Sequence, residues 1–318
     1  MSKIVVMGAG GFIGNHMVSY LVKNNHYVIA VDIKKPEFNN SDANEFLILD
    51  LSKYESMSFI DKEVSEIYQF AADMGGAGYI FTGENDFNIM SNSALINLNL
   101  LTYLIKNNLS PKIFYSSSAC VYPEEKQMTP RHIGLKEADA YPANPDSEYG
   151  WEKIFSERLY LSANKNYGIN VKIARYHNVY GPLSSWNNGK EKSPAALCRK
   201  VIENINGEVE IWGDGLQTRS YLYIDDCIDG SISLMKSNYS GPYNIGSDED
   251  ISINDLVDLI AKIENKKIKK IHIKGPLGVV GRNSDNSKSI NELKWSPKTS
   301  LKDGIKKTYY WIKSQTGV

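Results

Sequence analysis

Tyr149 and Lys153 stand four residues apart in Tyr149-Gly-Trp-Glu-Lys153, so on a helix the phenol and the ammonium share one face. An ammonium beside a phenol lowers the phenol's pKa and makes it a competent base at neutral pH. That spacing is common by chance, and its weight comes from its company. A serine-rich run, Tyr115-Ser116-Ser117-Ser118, closes a strand-like segment upstream. Near the start lies Gly8-Ala9-Gly10-Gly11-Phe12-Ile13-Gly14, where glycines permit a tight turn and let the backbone approach a pyrophosphate at a helix N-terminus. Asp32 follows at the spacing where a carboxylate accepts hydrogen bonds from adenosine ribose hydroxyls. It would repel a 2′-phosphate, which favours NAD over NADP, although Lys34 and Lys35 lean the other way. Asp50 and Leu51 either contact the adenine or form a plain turn.

These residues need a scaffold, and the first half of the chain supplies its pattern. Short apolar or β-branched runs (Lys3–Met7, Tyr27–Val31, Phe46–Leu49, Glu66–Phe70, Lys112–Ser116, Val171–Arg175) alternate with helical periodicity over Ile13–Asn24, Ile89–Asn107 and Tyr149–Asn166. This alternation predicts an α/β fold, a Rossmann-type doubly wound parallel sheet. Beyond about residue 180 the elements shorten, which predicts a smaller mixed α/β lobe that binds the ligand. The expected division is 1–178 plus about 221–247 for the NAD-binding domain, and about 179–220 plus 248–318 for the nucleotide-sugar-binding lobe. Tyr223-Ile-Asp225-Asp226 reads as structural, docking the lobe onto the sheet.

Composition narrows the class. The 318 residues are 42% hydrophobic, ample for a large core, and 36 Lys plus Arg nearly balance 37 Asp plus Glu. No basic field points to nucleic acid or an anionic membrane, so neither is expected as a partner. Ile4–Met7 is too short for a signal-peptide core, and no run is long enough to span a bilayer. Cys120, Cys198 and Cys227 are scattered, make neither a disulfide framework nor a metal site, and suit the reducing cytoplasm. Cys198 and Cys227 sit in helical patterns and read as structural.

Taken together, the glycine-rich turn, the serine-rich strand end and the Tyr-Lys helix resemble the extended branch of the short-chain dehydrogenase/reductase superfamily, over nearly the whole chain. The resemblance implies a Ser118/Tyr149/Lys153 triad: tyrosine as general base, lysine on the nicotinamide ribose, serine on the substrate hydroxyl. It also implies NAD contacts from Ala71 and Ala72. Arg175-Tyr-His-Asn178-Val-Tyr-Gly-Pro182 and Trp212-Gly-Asp-Gly-Leu-Gln217-Thr-Arg219 look like that branch's nucleoside-diphosphate-sugar segments. Gln217 would contact the substrate. Asn178, Arg219 and Arg282 would meet the diphosphate, since amides and guanidiniums match phosphate oxygens.

Four further stretches are similar to one group within the branch, the GDP-mannose 3,5-epimerases: Ala71-Ala72-Asp-Met74-Gly75-Gly76-Ala-Gly78, Ser118-Ala-Cys120-Val-Tyr-Pro123, Gly189-Lys-Glu-Lys192-Ser-Pro-Ala-Ala196 and Gly278-Val-Val-Gly281-Arg282-Asn-Ser-Asp-Asn286. Ala77 stands where methionine is expected and Ser193 where alanine is expected. Both flank substrate contacts (Met74, Gly75, Gly76, Gly78, Lys192) and leave the exact sugar open. Such an enzyme oxidises C4, which makes the protons at C3 and C5 removable, then inverts those carbons with a base on one ring face and an acid on the other. The resemblance gives those roles to Cys120 and Lys192. A thiol serves as base when nearby positive charge favours its thiolate, and a part-buried lysine is tuned toward neutrality. The hydride then returns to C4, so no external redox partner is needed.

A 4,6-dehydratase would carry an acidic pair where Ala119 and Cys120 stand, and a simple 4-epimerase has no use for Cys120 with Lys192. The alternatives kept are a C4 dehydrogenase or epimerase of a related GDP-sugar such as GDP-manno-heptose, and a non-catalytic NAD- or sugar-nucleotide-binding regulator. By analogy within the branch, and from the apolar faces of the Ile89–Asn107 and Tyr149–Asn166 helices, a homodimer through a four-helix bundle is expected.

Overall fold

Strands buried on both faces need apolar side chains pointing both ways, and crossover helices to cover them. The first strand shows this. In the computed structural model, which describes residues 2–130, 134–204, 207–276 and 278–317, Ile4 and Val6 point into one core and Val5 and Met7 into the other. The strands are β1 (Lys3–Met7), β2 (Tyr27–Asp32), β3 (Glu45–Ile48), β4 (Val64–Gln69), β5 (Lys112–Ser118), β6 (Val171–Tyr176), β7 (Val179–Tyr180), β8 (Glu208–Trp212), β9 (Thr218–Ser220), β10 (Leu222–Tyr223), β11 (Tyr243–Ile245), β12 (Asp250–Ser252), β13 (Lys269–Ile273) and β14 (Gly281–Arg282). The helices are α1 (Phe12–Lys23), α2 (Ala77–Ile80), α3 (Asp86–Lys106), α4 (Glu148–Tyr167), α5 (Ser193–Ile202), α6 (Ile224–Lys236), α7 (Ile253–Ala261) and α8 (Leu301–Thr316).

Seven strands form the main sheet in the order β11-β6-β5-β4-β1-β2-β3, and every neighbouring pair is parallel. The expected doubly wound sheet is therefore present. Its order reverses beside β1, which opens a crevice at the carboxyl ends of the strands. Leu100 of α3 and Tyr160 of α4 pack in the core on one face, Met17 of α1 and Ile228 of α6 in the core on the other. Each such fully buried side chain contributes roughly 1.5–3 kcal/mol. Among the boundaries that depart from the sequence pattern, two have a readable cause. α3 begins at Asp86 rather than Ile89, with an acidic residue in its first turn, where the helix dipole favours it. β5 runs on to Ser118, because β6 pairs with it as far as Ser118 opposite Tyr176.

In the second half, β8 pairs with β13, and β9 lies between β12 and β14. The last pairing sets Arg282 opposite Arg219. The Asp226 carboxylate accepts the backbone N–H groups of Lys298 and Thr299 at 3.0 and 2.9 Å. It ties α6 to the segment leading into α8, the docking role expected of Tyr223–Asp226.

Candidate active site

The glycine-rich turn leaves β1 and enters α1 at the crevice. The Gly10 N–H donates to Asp32 at 2.9 Å and the Lys34 N–H to the same carboxylate at 3.2 Å. A Cβ on Gly10 would stand 2.0 Å from the Lys34 carbonyl oxygen, so only glycine lets β1 and β2 end this close together. Burial pushes the Asp32 carboxyl above its ordinary range, while the N–H groups of Lys34 and Gly10 pull it back. Gly10, Gly11, Phe12, Asn15, Phe38, Asn39 and Ser185 are among the residues lining a cavity beside this turn. The Asn15 Oδ1 is buried there without a partner, an acceptor waiting for a donor. A backbone-lined cradle, an orphan amide oxygen and a carboxylate at the end of β2 fit a dinucleotide. Gly8, Ile13 and Gly14 complete the turn, and Ala71 follows β4 at its edge, its nitrogen 2.6 Å from where a Gly8 Cβ would be. Ala72 continues from it in the chain. Asp50 is occupied locally, accepting from the Ser52 N–H at 3.0 Å and hydroxyl at 2.6 Å, and Leu51 is buried in the core.

Ser118, Tyr149 and Lys153, expected as a triad, come from β5 and α4. β5 delivers Ser118, whose Oγ accepts the Cys120 N–H at 3.2 Å. Ser147 caps α4 through the Gly150 N–H at 3.3 Å, and the first turns of that helix carry Tyr149 and Lys153, both buried. The Lys153 ammonium donates to the Ser116 carbonyl at 3.1 Å and lies 5.6 Å from the centre of the Tyr149 ring. The electrostatics differ from the sequence expectation. Burial, with Cys120 and Glu152 adding, holds the Tyr149 phenol well above its ordinary range, and the Ser118 hydrogen bond only partly offsets this. Burial also pushes Lys153 down, against the pull of Glu152 and Glu157. Lys153 is addressed to the ring and a carbonyl, not to the phenolic oxygen.

Cys120 sits in a tight turn directly after β5. Its Sγ accepts from the Arg282 Nη1 at 3.1 Å. The other donors of that guanidinium are taken by Asp146 (Nη2, 2.6 Å) and Gln127 (Nε, 2.5 Å). Arg282, expected at the diphosphate, is thus turned onto the thiol. Asp146 and Gln127 escaped the sequence reading. Neither sits in a recognisable pattern, and their partner is 136 and 155 residues away.

Lys192 comes from the second half of the chain as the residue preceding α5. Burial pushes its ammonium below its ordinary pKa, and the Cys120 charge opposes that shift, so the two expected acid/base groups feel one another electrostatically. Cys198 and Cys227 are buried in α5 and α6, and burial raises both thiols, Cys227 to about 12. They are structural, as expected. Arg219 donates to the carbonyls of Thr218 and Val279 at 2.7 and 2.6 Å. Burial and the neighbouring Arg282 lower it to about 10. Asn178, in the left-handed region at φ +43°, donates to the Ser220 carbonyl at 2.8 Å. Gln217 donates to the Trp212 carbonyl at 3.1 Å and keeps its Oε1 buried without a partner. Met74 packs with Cys120 around Tyr149, and Gly75, Gly76 and Gly78 extend the same loop towards Trp212. Among the described residues no group of three His, Cys, Asp or Glu is placed to hold a metal ion, and no helix is long and apolar enough to cross a membrane.

The pattern of the NAD dependent epimerase/dehydratase family matches residues 4–246. The chain is 44% identical over 315 residues to the GDP-mannose 3,5-epimerase of Arabidopsis thaliana, covering 98% of this chain and 82% of that one. Among solved structures it resembles UDP-glucose 4-epimerase with UDP-glucose from Thermotoga maritima, at 25% identity and a TM-score of 0.87, covering 99% of both chains. It also resembles UDP-glucuronic acid 4-epimerase from Bacillus cereus in complex with UDP-glucuronic acid and NAD, at 28% identity and a TM-score of 0.83, covering 98% of this chain and 99% of that one.

Proposed function

The chain belongs to the NAD dependent epimerase/dehydratase family, and on that premise we propose that it inverts C3 and C5 of GDP-D-mannose, giving GDP-L-galactose and GDP-L-gulose. The observation that carries this reading is the thiol of Cys120, held by the Arg282 guanidinium at 3.1 Å beside Ser118 and Tyr149, with the Lys192 ammonium in electrostatic contact from the second half of the chain. A 4-epimerase has no task for that pair.

NAD would be held at the Gly8–Gly14 turn, Asp32 and the Tyr149/Lys153 helix, and would supply the hydride acceptor and donor at C4. Ser118 orients the C4 hydroxyl and Tyr149 takes its proton. With C4 a ketone, the protons at C3 and C5 lie α to a carbonyl and come within reach of side-chain bases. Cys120 works on one ring face, its Sγ held by the Arg282 guanidinium at 3.1 Å. Lys192 works on the other, so that one of the two takes the proton from the carbon and the other returns one to the opposite face. Tyr149 returns its proton when C4 is restored. Asn178 and Arg219 take the diphosphate side, Gln217 contacts the substrate, and Met74, Gly75, Gly76 and Gly78 border the sugar. The unpaired Gln217 Oε1 supports this, as an acceptor free for a ligand hydroxyl or amide.

The test is incubation with GDP-mannose in deuterium oxide without added NAD. Deuterium at C3 and C5 with L-configured products is the expected result. No label after NAD is supplied overturns the reading, and GDP-manno-heptose is then the next substrate to try.

The same reading includes a homodimer in the cytoplasm. Phe87, Leu95 and Leu98 on α3 and Trp151 and Phe155 on α4 are exposed, Phe87 by 81%, on helices that pack side by side. A second copy placing the same two helices against them would bury this apolar strip in a four-helix bundle. Light scattering should give twice the chain mass, falling to one in Phe155→Glu. A monomeric parent refutes the dimer. The three free thiols suit a reducing compartment.

A further inference from the structure

Lys192 stands at the end of Trp186–Glu191, a segment without helix or strand, so something else must fix it. Arg199 of α5 holds it at Trp186 and Glu191, at 3.0 and 3.4 Å, and the loop after β4 touches it next to Lys192. The Gly76 N–H donates to the Lys190 carbonyl at 2.9 Å. A Cβ on Gly76 would stand 2.2 Å from the Glu191 carbonyl oxygen, so the two backbones approach as only glycine allows. The Lys190 ammonium lies 3.8 Å from the centre of the Tyr79 ring. The Tyr79 hydroxyl donates to Asp73 at 2.9 Å, and Asp73 in turn accepts from Asn92 of α3 at 3.2 Å. A continuous chain of contacts therefore runs from α3 through Asp73, Tyr79 and Lys190 to Lys192. Lys190 is otherwise exposed.

We propose that the Asp73–Tyr79 loop is a strap that sets Lys192 against its face of the sugar, with Gly76, Tyr79 and Lys190 as positioning residues. This rests on the 3,5-epimerase reading and deepens it. A base that must reach one face of a flat keto-sugar tolerates little displacement, because proton transfer falls steeply with misplacement. The strap also joins the Lys192 segment to the loop bordering the sugar, so the two move together when substrate enters.

The experiment uses the full chain in deuterium oxide with GDP-mannose. Gly76→Ala, Tyr79→Leu and Lys190→Met are set beside Lys192→Ala and Cys120→Ala. Inversion is read by NMR, label in uninverted sugar by mass spectrometry, and C4 oxidation by near-ultraviolet absorbance of the reduced nicotinamide. Tyr79→Leu and Lys190→Met should lose inversion roughly ten- to hundredfold, with the label pattern of Lys192→Ala and not that of Cys120→Ala, while C4 oxidation stays near parental; Gly76→Ala, which also borders the sugar, should lose inversion at least as much. Lys190→Arg, which keeps a cation over the ring, should restore inversion. If Gly76→Ala fails to fold, the two side-chain variants carry the test. Parental inversion in them overturns the strap, as does a fall in C4 oxidation that keeps step with inversion. Absence of label with the unmodified protein overturns the epimerase reading itself, and the strap with it.

Discussion

Asp146→Asn tests the buried charge arrangement most directly. The Asp146 carboxylate and the Arg282 guanidinium meet at 2.6 Å with side chains only 3% and 6% exposed. At the roughly 4 Å between their charge centres and an effective dielectric of about 20, the attraction is about 4 kcal/mol. Mutational removal of one partner of such a buried pair costs about 3–5 kcal/mol, because the other charge is stranded. Arg282 cannot escape by losing its proton. Burial works against its charge, but Cys120 and Asp146 outweigh that and hold its pKa above the ordinary value. Asparagine keeps an acceptor for Nη2, so the lower end applies, about 3 kcal/mol. For a chain of this size that lowers Tm by about 4–5 °C. Differential scanning fluorimetry with saturating NAD gives the number. The double variant Asp146→Asn with Arg282→Met should recover most of the loss, since the stranded charge is gone. A single variant melting within about 1 °C of the parent, or a double variant showing the plain sum of the two losses, refutes the reasoning.

Three further outcomes follow from the geometry. Glu152, fully buried and 3.9 Å from the Lys153 ammonium, helps keep that lysine charged. Glu152→Gln should slow C4 oxidation roughly tenfold, read as single-turnover reduction of bound NAD, and Glu152→Asp less. Gly10→Ala forces a methyl to 2.0 Å from the Lys34 carbonyl oxygen. The purified variant should carry little or no NAD by absorbance and mass spectrometry, and parental occupancy would argue against the cradle. His177 is buried, and burial lowers it from 6.5 to about 3 despite its bond to Asn244. The unfolded chain therefore binds more protons between those values. His177 leaves stability whole above about pH 6.5 and removes about 1.4 kcal/mol per unit as pH falls below it. His177→Gln should flatten Tm against pH between about 6 and 4.5, and an unchanged slope would assign the acid sensitivity elsewhere.

The local parts of the fold were legible because they obey local rules. Lys3–Met7 and Tyr27–Asp32 are apolar runs of strand length, and Phe12–Lys23 begins after a glycine turn. Tyr149 and Lys153 were readable from a helical spacing, and Asp32 from its distance along the chain. The surroundings of Cys120 were not. Its arginine arrives on β14, opposite Arg219, through a two-residue pairing that no periodicity marks. The strap escaped for the same reason, since Tyr79 and Lys190 are ordinary surface types until the fold stacks them. The burial that raises the Tyr149 phenol was not legible either, because a sequence states burial only through the packing it later adopts.

The 162 residues between Cys120 and Arg282 also order events during synthesis. The dinucleotide cradle draws on residues no later than Ser185, whereas the guanidinium facing the thiol emerges only with Arg282. At roughly 5–20 residues per second, the interval is on the order of ten seconds. A nascent chain thus acquires the means to grip its cofactor well before Arg282 reaches the thiol.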